Sequence, residues 1–196
     1  MTADTAQAAP TAPSQPLLHP ATGPRVRVGD PLYHQIVEWY DDESTMLDAA
    51  CTMDWVRDLM APDLLYRMPV RQNRLRDDPL SQFSDGAFHY DENLTTLTMK
   101  VMRLATTASP WAENPVSRTR RFVSNVRVHR TDTDGEFRVD SSLLITRSRY
   151  AEPHPMILSA ARHDVLRRDG DTFKLAKRYI LADQGTMGFP NLVVFL

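Results

Sequence analysis

Arg118–Tyr150 reads RTRRFVSNVRVHR, then TDTDG, then EFRVDSSLLITRSRY. Phe122, Val126 and Val128 share one parity along the first arm, and Phe137, Val139, Leu143 and Ile145 share one along the second. Each arm therefore carries an apolar face at strand period. Asp134-Gly135 lies between the arms, where a residue tolerant of positive φ closes a turn, and the residues ahead of it make the loop longer than two. The spacing predicts a long antiparallel hairpin. Its other face carries Arg121, Asn125, Arg127, Arg138 and Asp140, which need water or a charged partner.

Beyond the hairpin, Ile157 to Arg168, a turn at Asp169-Gly170 and Phe173 to Leu181 predict two more strands, with Phe173, Leu175, Tyr179 and Leu181 on one parity. The apolar stretch Asn191–Leu196 is expected to dock on the body of the protein. Ahead of the hairpin, Leu94, Leu97, Val101 and Leu104 recur at helical spacing from Asp91 until Ser109-Pro110 ends the run. Leu64 to Met68, followed by Pro69, suits a short strand at a sheet edge, and Arg71, Arg74, Arg76, Asp77 and Asp78 form a charged loop.

Two helices are expected earlier still. Asp30 caps the first and Pro31 fits its first turn. Tyr33, Ile36, Val37 and Tyr40 form its stripe, with Asp41, Asp42 and Glu43 as its solvated end. Met53, Trp55, Val56, Leu59 and Met60 mark the second, stopped ahead of Pro62. Residues 1–29 are rich in Ala, Pro, Thr and Ser, a composition that predicts a disordered N-terminal tail. Residues 30–196 then form a single domain. Helices followed by a meander of strands give an α+β fold, a curved antiparallel sheet with helices packed on one face.

The chain has 196 residues, a formal net charge of -2 and one cysteine. That length suits one domain with an ordinary core. Acids dominate before Ser117, whereas arginines and lysines dominate from Arg118 to Arg178 and give the sheet a positive cast. The arginines are interrupted by acids, and no zinc-finger, helix-turn-helix or RNA-motif pattern occurs, so nucleic acid is not the expected partner. Cys51 alone forms no internal disulfide, and a reducing cytoplasm is the expected setting. A single cysteine also falls short of any cysteine-ligated or Rieske cluster. No apolar run approaches the ~20 residues of a membrane span, and the N-terminus lacks the order of a secretory signal.

Histidines and carboxylates are the natural candidates for chemistry. His163 and Asp164 are adjacent on a strand, so they point to opposite faces and cannot form a dyad with each other. His89, near Asp85 and Asp91, reads as part of a Gly-containing loop and stays open between a general base and a surface or interface histidine. Asp30, four residues before His34, reads as a helix cap. His154, between Pro153 and Pro155, and His129, at a strand end, have no histidine neighbour at ligand spacing. Cys51 reads as a small core residue. Trp39 and Trp55 fall on amphipathic helices and belong to the core. Trp111, in the loop SPWAENP, stays open between an interface anchor and packing beneath its loop.

Several pieces stand in a telling order. They are Tyr66-Arg67-Met68-Pro69-Val70-Arg71 with Asn73-Arg74; Trp111-Ala112-Glu113-Asn114-Pro115; Ser117-Arg118-Thr119-Arg120 with Ser124-Asn125-Val126; Asp164-Val165-Leu166-Arg167-Arg168; Ile180-Leu181 with Asp183-Gln184; and Asn191-Leu192 with Phe195-Leu196. With them the chain resembles, from Pro31 to Leu196, the small, or beta, subunit of bacterial aromatic-ring-hydroxylating dioxygenases. The resemblance implies a cone-shaped fold like that of nuclear transport factor 2, scytalone dehydratase and ketosteroid isomerase. It also implies a catalytic large (alpha) subunit as partner, in an alpha3beta3 hexamer. That large subunit holds the Rieske 2Fe-2S cluster and the mononuclear iron, and receives NADH-derived electrons through a reductase and a ferredoxin to add O2 to an aromatic ring.

On this resemblance the small subunit carries no cofactor, no metal and no catalytic residue, and acts in assembly. Pro69, Arg71, Arg74, Trp111, Arg118 and Arg120, all within matching pieces, are expected at or behind the subunit interface. Arginine suits that place because its planar fork stays charged when partly desolvated. Arg67 departs from the family, which often has an aromatic residue there. The alternative is a stand-alone dehydratase or isomerase of the same fold with a His or Asp base in its cavity. A buried Asp or His facing a donor pair would favour that alternative, and a cavity filled by Leu, Met and Phe would favour the subunit.

Overall fold

In the computed structural model, which describes residues 23–75, 78, 81–106, 117–150, 153–186 and 194–196, the hairpin forms the second and third strands of a seven-stranded sheet. Its arms are β4 (Arg118–Arg130) and β5 (Glu136–Ser148), and Gly135 closes the turn with φ 72°. The other strands are β1 (Arg25–Val26), β2 (Met60–Arg71), β3 (Phe83–Glu92), β6 (Met156–Asp169) and β7 (Thr172–Ala182). They lie in the order β1-β4-β5-β6-β7-β2-β3, and every neighbouring pair is antiparallel except β2 with β7. Three helices, α1 (Pro31–Asp48), α2 (Thr52–Leu59) and α3 (Leu94–Thr106), complete the α+β fold. Trp111 with its loop, and residues 191–193, lie outside the described residues.

Local chemistry explains most of these elements. Asp30 caps α1 by accepting the Leu32 N–H at 2.9 Å, and Pro31 occupies the first turn. Leu32, Ile36, Trp39, Tyr40, Glu43 and Leu47 form its buried stripe. The expected solvated end at Asp41–Glu43 is therefore corrected: the helix runs on to Asp48, and Glu43 is buried.

Four further expectations change. β2 is an interior strand of 12 residues, not a short edge strand; Pro62 and Pro69 are tolerated because both fall at register shifts, where no regular ladder bond is required of them. Asp85, His89 and Asp91 lie on β3 and not in a loop. Cys51 is exposed at the start of α2 and not in the core. Arg25–Val26 pairs with His129 and Val128 and buries Val26, so ordered structure begins within the span read as tail.

Two bulges set what faces inward. Between Ser124 and Arg127, β4 carries one residue more than β5, with Asn125 at φ 55°. Ahead of this point the parity is inverted: Arg121 lies opposite buried Ile145, whereas Phe122 lies opposite Leu144 and is exposed. The expected apolar face is thus corrected, with Phe122 outside and Arg121 inside. On β7, Leu175 pairs with Leu166 but Lys177 pairs with Val165, so Ala176 is the extra residue. Phe173 and Leu175 face the core as expected, but beyond Ala176 Arg178 and Ile180 are buried on the other parity, and Leu181 is buried as well. Tyr179 turns outward with His163.

Asn tolerates the left-handed conformation and a β-branched residue does not. Asn125→Val is expected to lower stability by about 1–2 kcal/mol, and Asn125→Gly to leave it within about 0.5 kcal/mol, in thermal denaturation. A valine variant as stable as the glycine variant would contradict the bulge geometry.

Candidate functional site

The interior of the curved sheet is where a ligand site would lie, and its centre is Arg178. Nε and Nη2 donate to Asp164 Oδ1 and Oδ2 at 2.9 and 2.8 Å. Nη1 and Nη2 donate to Glu43 Oε1 and Oε2 at 2.7 and 3.0 Å. Nη1 also donates to the Leu196 carbonyl oxygen at 2.9 Å, so every guanidinium N–H is used. Tyr40 Oη donates to Asp164 Oδ2 at 2.8 Å, and Trp55 Nε1 to Glu43 Oε1 at 3.1 Å. Arg162 reaches Glu43 Oε2 at 3.4 Å and lies over the Tyr40 ring. Glu43, Asp164, Arg162 and Arg178 are all fully buried.

Burial alone would raise the Glu43 carboxyl pKa, but the charges of Arg178 and Arg162 and the bonds from Arg178 and Trp55 hold it below its ordinary value. Burial would lower the Arg178 guanidinium, yet Asp164 and Glu43 hold it well above its ordinary range. Burial, reinforced by Asp164, pushes the Tyr40 hydroxyl well up. Tyr40 therefore stays a proton donor to Asp164. Asp164 is a buried acid facing donors, but it is committed to Arg178 and Tyr40 and so is not poised as a base.

Residues 194–196 enter the interior beside this cluster. The Val194 carbonyl accepts from Tyr90 Oη at 3.2 Å, the Phe195 carbonyl from Arg121 Nη2 at 2.8 Å, and the Leu196 carbonyl from Tyr66 Oη at 2.7 Å. Phe195 packs against Trp55 and Tyr90, with ring centroids 5.2 and 6.2 Å away. Burial pushes the Tyr66 hydroxyl up to about 12. Arg121 itself is anchored on Asp48 of α1 at 2.5 Å. A cavity of about 240 Å³ remains beside this segment, lined by Leu47, Asp48, Leu104, Arg121, Val194 and Phe195 among others.

His163 and Asp164 do point to opposite faces. His163 lies outside, where Nδ1 sits 2.6 Å from Asp140 Oδ1 on the neighbouring strand. Asp140 also accepts from Arg138 Nη2 at 3.0 Å. Burial would raise the Asp140 carboxyl, but the His163 hydrogen bond and the Arg138 charge outweigh it and hold it below the usual value. Residue-by-residue reading missed this pair because it depends on the cross-strand register Asp140↔His163. Among the described residues, no group of three or more His, Cys, Asp and Glu converges as a metal site.

The expected interface residues do not form one cluster. Pro69 is buried on β2. Arg71 braces the far side of the sheet by donating to the Ala182 carbonyl at 2.6 Å and to Gln82 at 2.8 Å, over the Phe83 ring. Arg74 is tied to Gln72 and Asp78. Arg118 and Arg120 are exposed on β4, with β5, β6 and β7 between them and β2.

The folded-state pKa of Glu43 lies below the unfolded value, so its contribution to stability is complete above the ordinary 4.5 and is lost as pH falls below it. Glu43→Gln is expected to lower the unfolding free energy at pH 7 by about 3–5 kcal/mol, because Arg178 and Arg162 lose a buried counter-charge. The loss should shrink in thermal melts taken at progressively lower pH. An equal loss at pH 3 and pH 7 would argue against the charge-pairing account.

The model of the family described as ring hydroxylating beta subunit matches residues 42–188, which include Glu43, Asp164 and Arg178. The biphenyl 2,3-dioxygenase subunit beta of Rhodococcus jostii (strain RHA1) is 35% identical over 168 residues, covering 84% of this chain and 88% of its own length. The benzene 1,2-dioxygenase subunit beta of Pseudomonas putida is 32% identical over 172 residues, covering 86% and 90%. A chain of naphthalene 1,2-dioxygenase, solved with indole in the active site, shares the fold with a TM-score of 0.74 and 22% identity, over 84% of this chain and 86% of that one. The match spans the ionic interior and the hairpin alike, and the chain belongs to the ring-hydroxylating beta subunit family.

Proposed function

We propose that this chain is the non-catalytic small subunit of an aromatic-ring-hydroxylating dioxygenase, and that it holds catalytic large subunits in register. The observation that carries the proposal is the commitment of the interior acids. Glu43 and Asp164 are both paired with Arg178, whose remaining N–H goes to the Leu196 carbonyl, so neither is free for catalysis. The Rieske 2Fe-2S cluster and the mononuclear iron belong to the large subunit, which receives its electrons from NADH through a reductase and a ferredoxin. The assembly is alpha3beta3 and its setting is the cytoplasm; among the described residues no helix is long and apolar enough to cross a membrane.

On this reading residues 30–196 act as one unit. Arg118 and Arg120 make contact with the partner, Pro69, Arg71 and Arg74 brace the sheet with three strands between, and Trp111 adds to the contact. The alternative, a dehydratase or isomerase with a His or Asp base in the cavity, is not favoured, since Asp164 is committed to Arg178 and Tyr40 and His163 faces outward.

Co-expression of the full chain with the large subunit of its own system tests the proposal. The expected outcome is co-elution in equal amounts, with all iron and all turnover lost when the large subunit is omitted. Stoichiometric iron in the isolated chain, or turnover by it alone, would overturn the reading.

A further inference from the structure

The bulge in β4 does more than admit Arg121 to the interior, because it also turns Phe122 out of it. Phe122 is 52% exposed and lies opposite Leu144, which is 38% exposed. Ile157, 56% exposed, pairs with Thr146, two residues further along β5 on the same face, and so stands diagonal to Leu144. Opposite and diagonal neighbours on one sheet face are within side-chain reach of each other. The three side chains therefore make a continuous apolar patch on the outer face, spread over β4, β5 and β6. No described helix needs it, since the buried stripe of α1 and the core residues of β5 meet on the other face.

The border of the patch is rich in arginine. Arg118 and Arg120 precede Phe122 on β4, and Arg120, with 71% of its side chain exposed, reaches Asp48 only at 3.9 Å. Past the bulge, exposed Arg25 and Arg127 line a depression with Asn125, Val126 and Ser142, and no acid shares that lining. The carboxylate nearest along β5, Asp140, is committed to Arg138 and His163. Asn125 holds a left-handed backbone to create this arrangement. A bulge of this kind re-aims a side chain, and here it places an aromatic ring in solvent with arginines on both sides.

We propose that Phe122, Leu144 and Ile157 are the anchoring patch for the large subunit, and that Arg120, Arg127 and Arg25 receive carboxylates at the rim of its docking surface. This rests on the small-subunit reading and names the surface that reading requires. An aromatic residue inside a ring of polar contacts is the usual form of an energetic centre in an interface. A two-fold contact between copies of this chain would set Arg118, Arg120 and Arg127 against themselves, an arrangement that like-charge repulsion opposes, and a contact between copies about a three-fold axis is the self-association outcome of the test below. An apolar surface edged with Asp and Glu satisfies both parts of the patch.

The test uses the full chain with its large subunit. Phe122→Ser with Ile157→Thr, and separately Arg120→Glu with Arg127→Glu, are co-expressed with the large subunit and compared with wild type. Affinity is measured between the purified subunits, at low and high salt. The replaced side chains are exposed, so both variants should melt like wild type. The apolar variant is expected to weaken the complex by about tenfold or more. The charge-reversed variant, which leaves the apolar patch intact, should weaken it at low salt and approach wild type at high salt. Unchanged affinity in both variants would overturn the patch while leaving the small-subunit reading intact. So would loss of self-association alone with large-subunit affinity preserved, because the occupant would then be a second copy. A wild-type chain that never binds the large subunit would overturn both.

Discussion

A guanidinium with no access to water must have every N–H matched, and Arg178 meets that condition with partners drawn from α1, β6 and the segment at 194–196. Desolvating such a charge is costly enough that an isolated buried arginine would not persist. The two carboxylates supply the opposing charge, Tyr40 and Trp55 occupy the carboxylate lone pairs left over, and Arg162 balances the second acid. The arrangement fixes how far α1 can slide along the sheet and how the strands β6 and β7 are offset. It is a polar core that specifies one geometry as well as supporting it.

Much of the fold was legible because it depends on local periodicity. The hairpin, its glycine turn and the Asp30-Pro31 cap follow from spacing and from turn chemistry and are in place, whereas the helix stripes hold only in part: Ile36, Tyr40, Trp55, Val56 and Leu59 are buried, but Tyr33 and Val37 are half-buried, Met53 is exposed and Met60 opens β2. The interior was not legible, and the reason is specific. Arg121 and Arg178 enter it only because one extra residue in β4 and one in β7 reverse the side-chain alternation, and a period-2 reading carries no marker of a bulge. Asn125, a residue that accepts positive φ, was one available cue; the shift of apolar parity from Phe173 and Leu175 to Ile180 was another. Glu43 was misplaced for a different reason. Three acids in a row read as solvated, although Leu47 continues the stripe and puts Glu43 within it.

The same two bulges separate the protein's two faces by role. Inside, Arg178 has every N–H matched and Glu43 and Asp164 are held by it, which leaves neither acid free to act as a base. Outside, the sheet presents an aromatic ring, two aliphatic side chains and exposed arginines. Fold alone does not assign function, and the contrast between committed acids inside and exposed apolar side chains outside is what a subunit of a larger assembly requires.

The span between the groups of the ionic core also bears on how the protein is made. Glu43 and Arg178 are 135 positions apart, and Tyr90 waits 104 positions for the carbonyl of Val194. During translation α1 leaves the ribosome long before its counter-ion has been synthesised, so Glu43 must remain hydrated and the apolar stripe beside it uncovered. Contacts of such long sequence separation form late and slowly. The nascent chain therefore spends most of its synthesis with an open, adhesive helix face, and holding by a chaperone until residue 196 has emerged would serve it better than early docking.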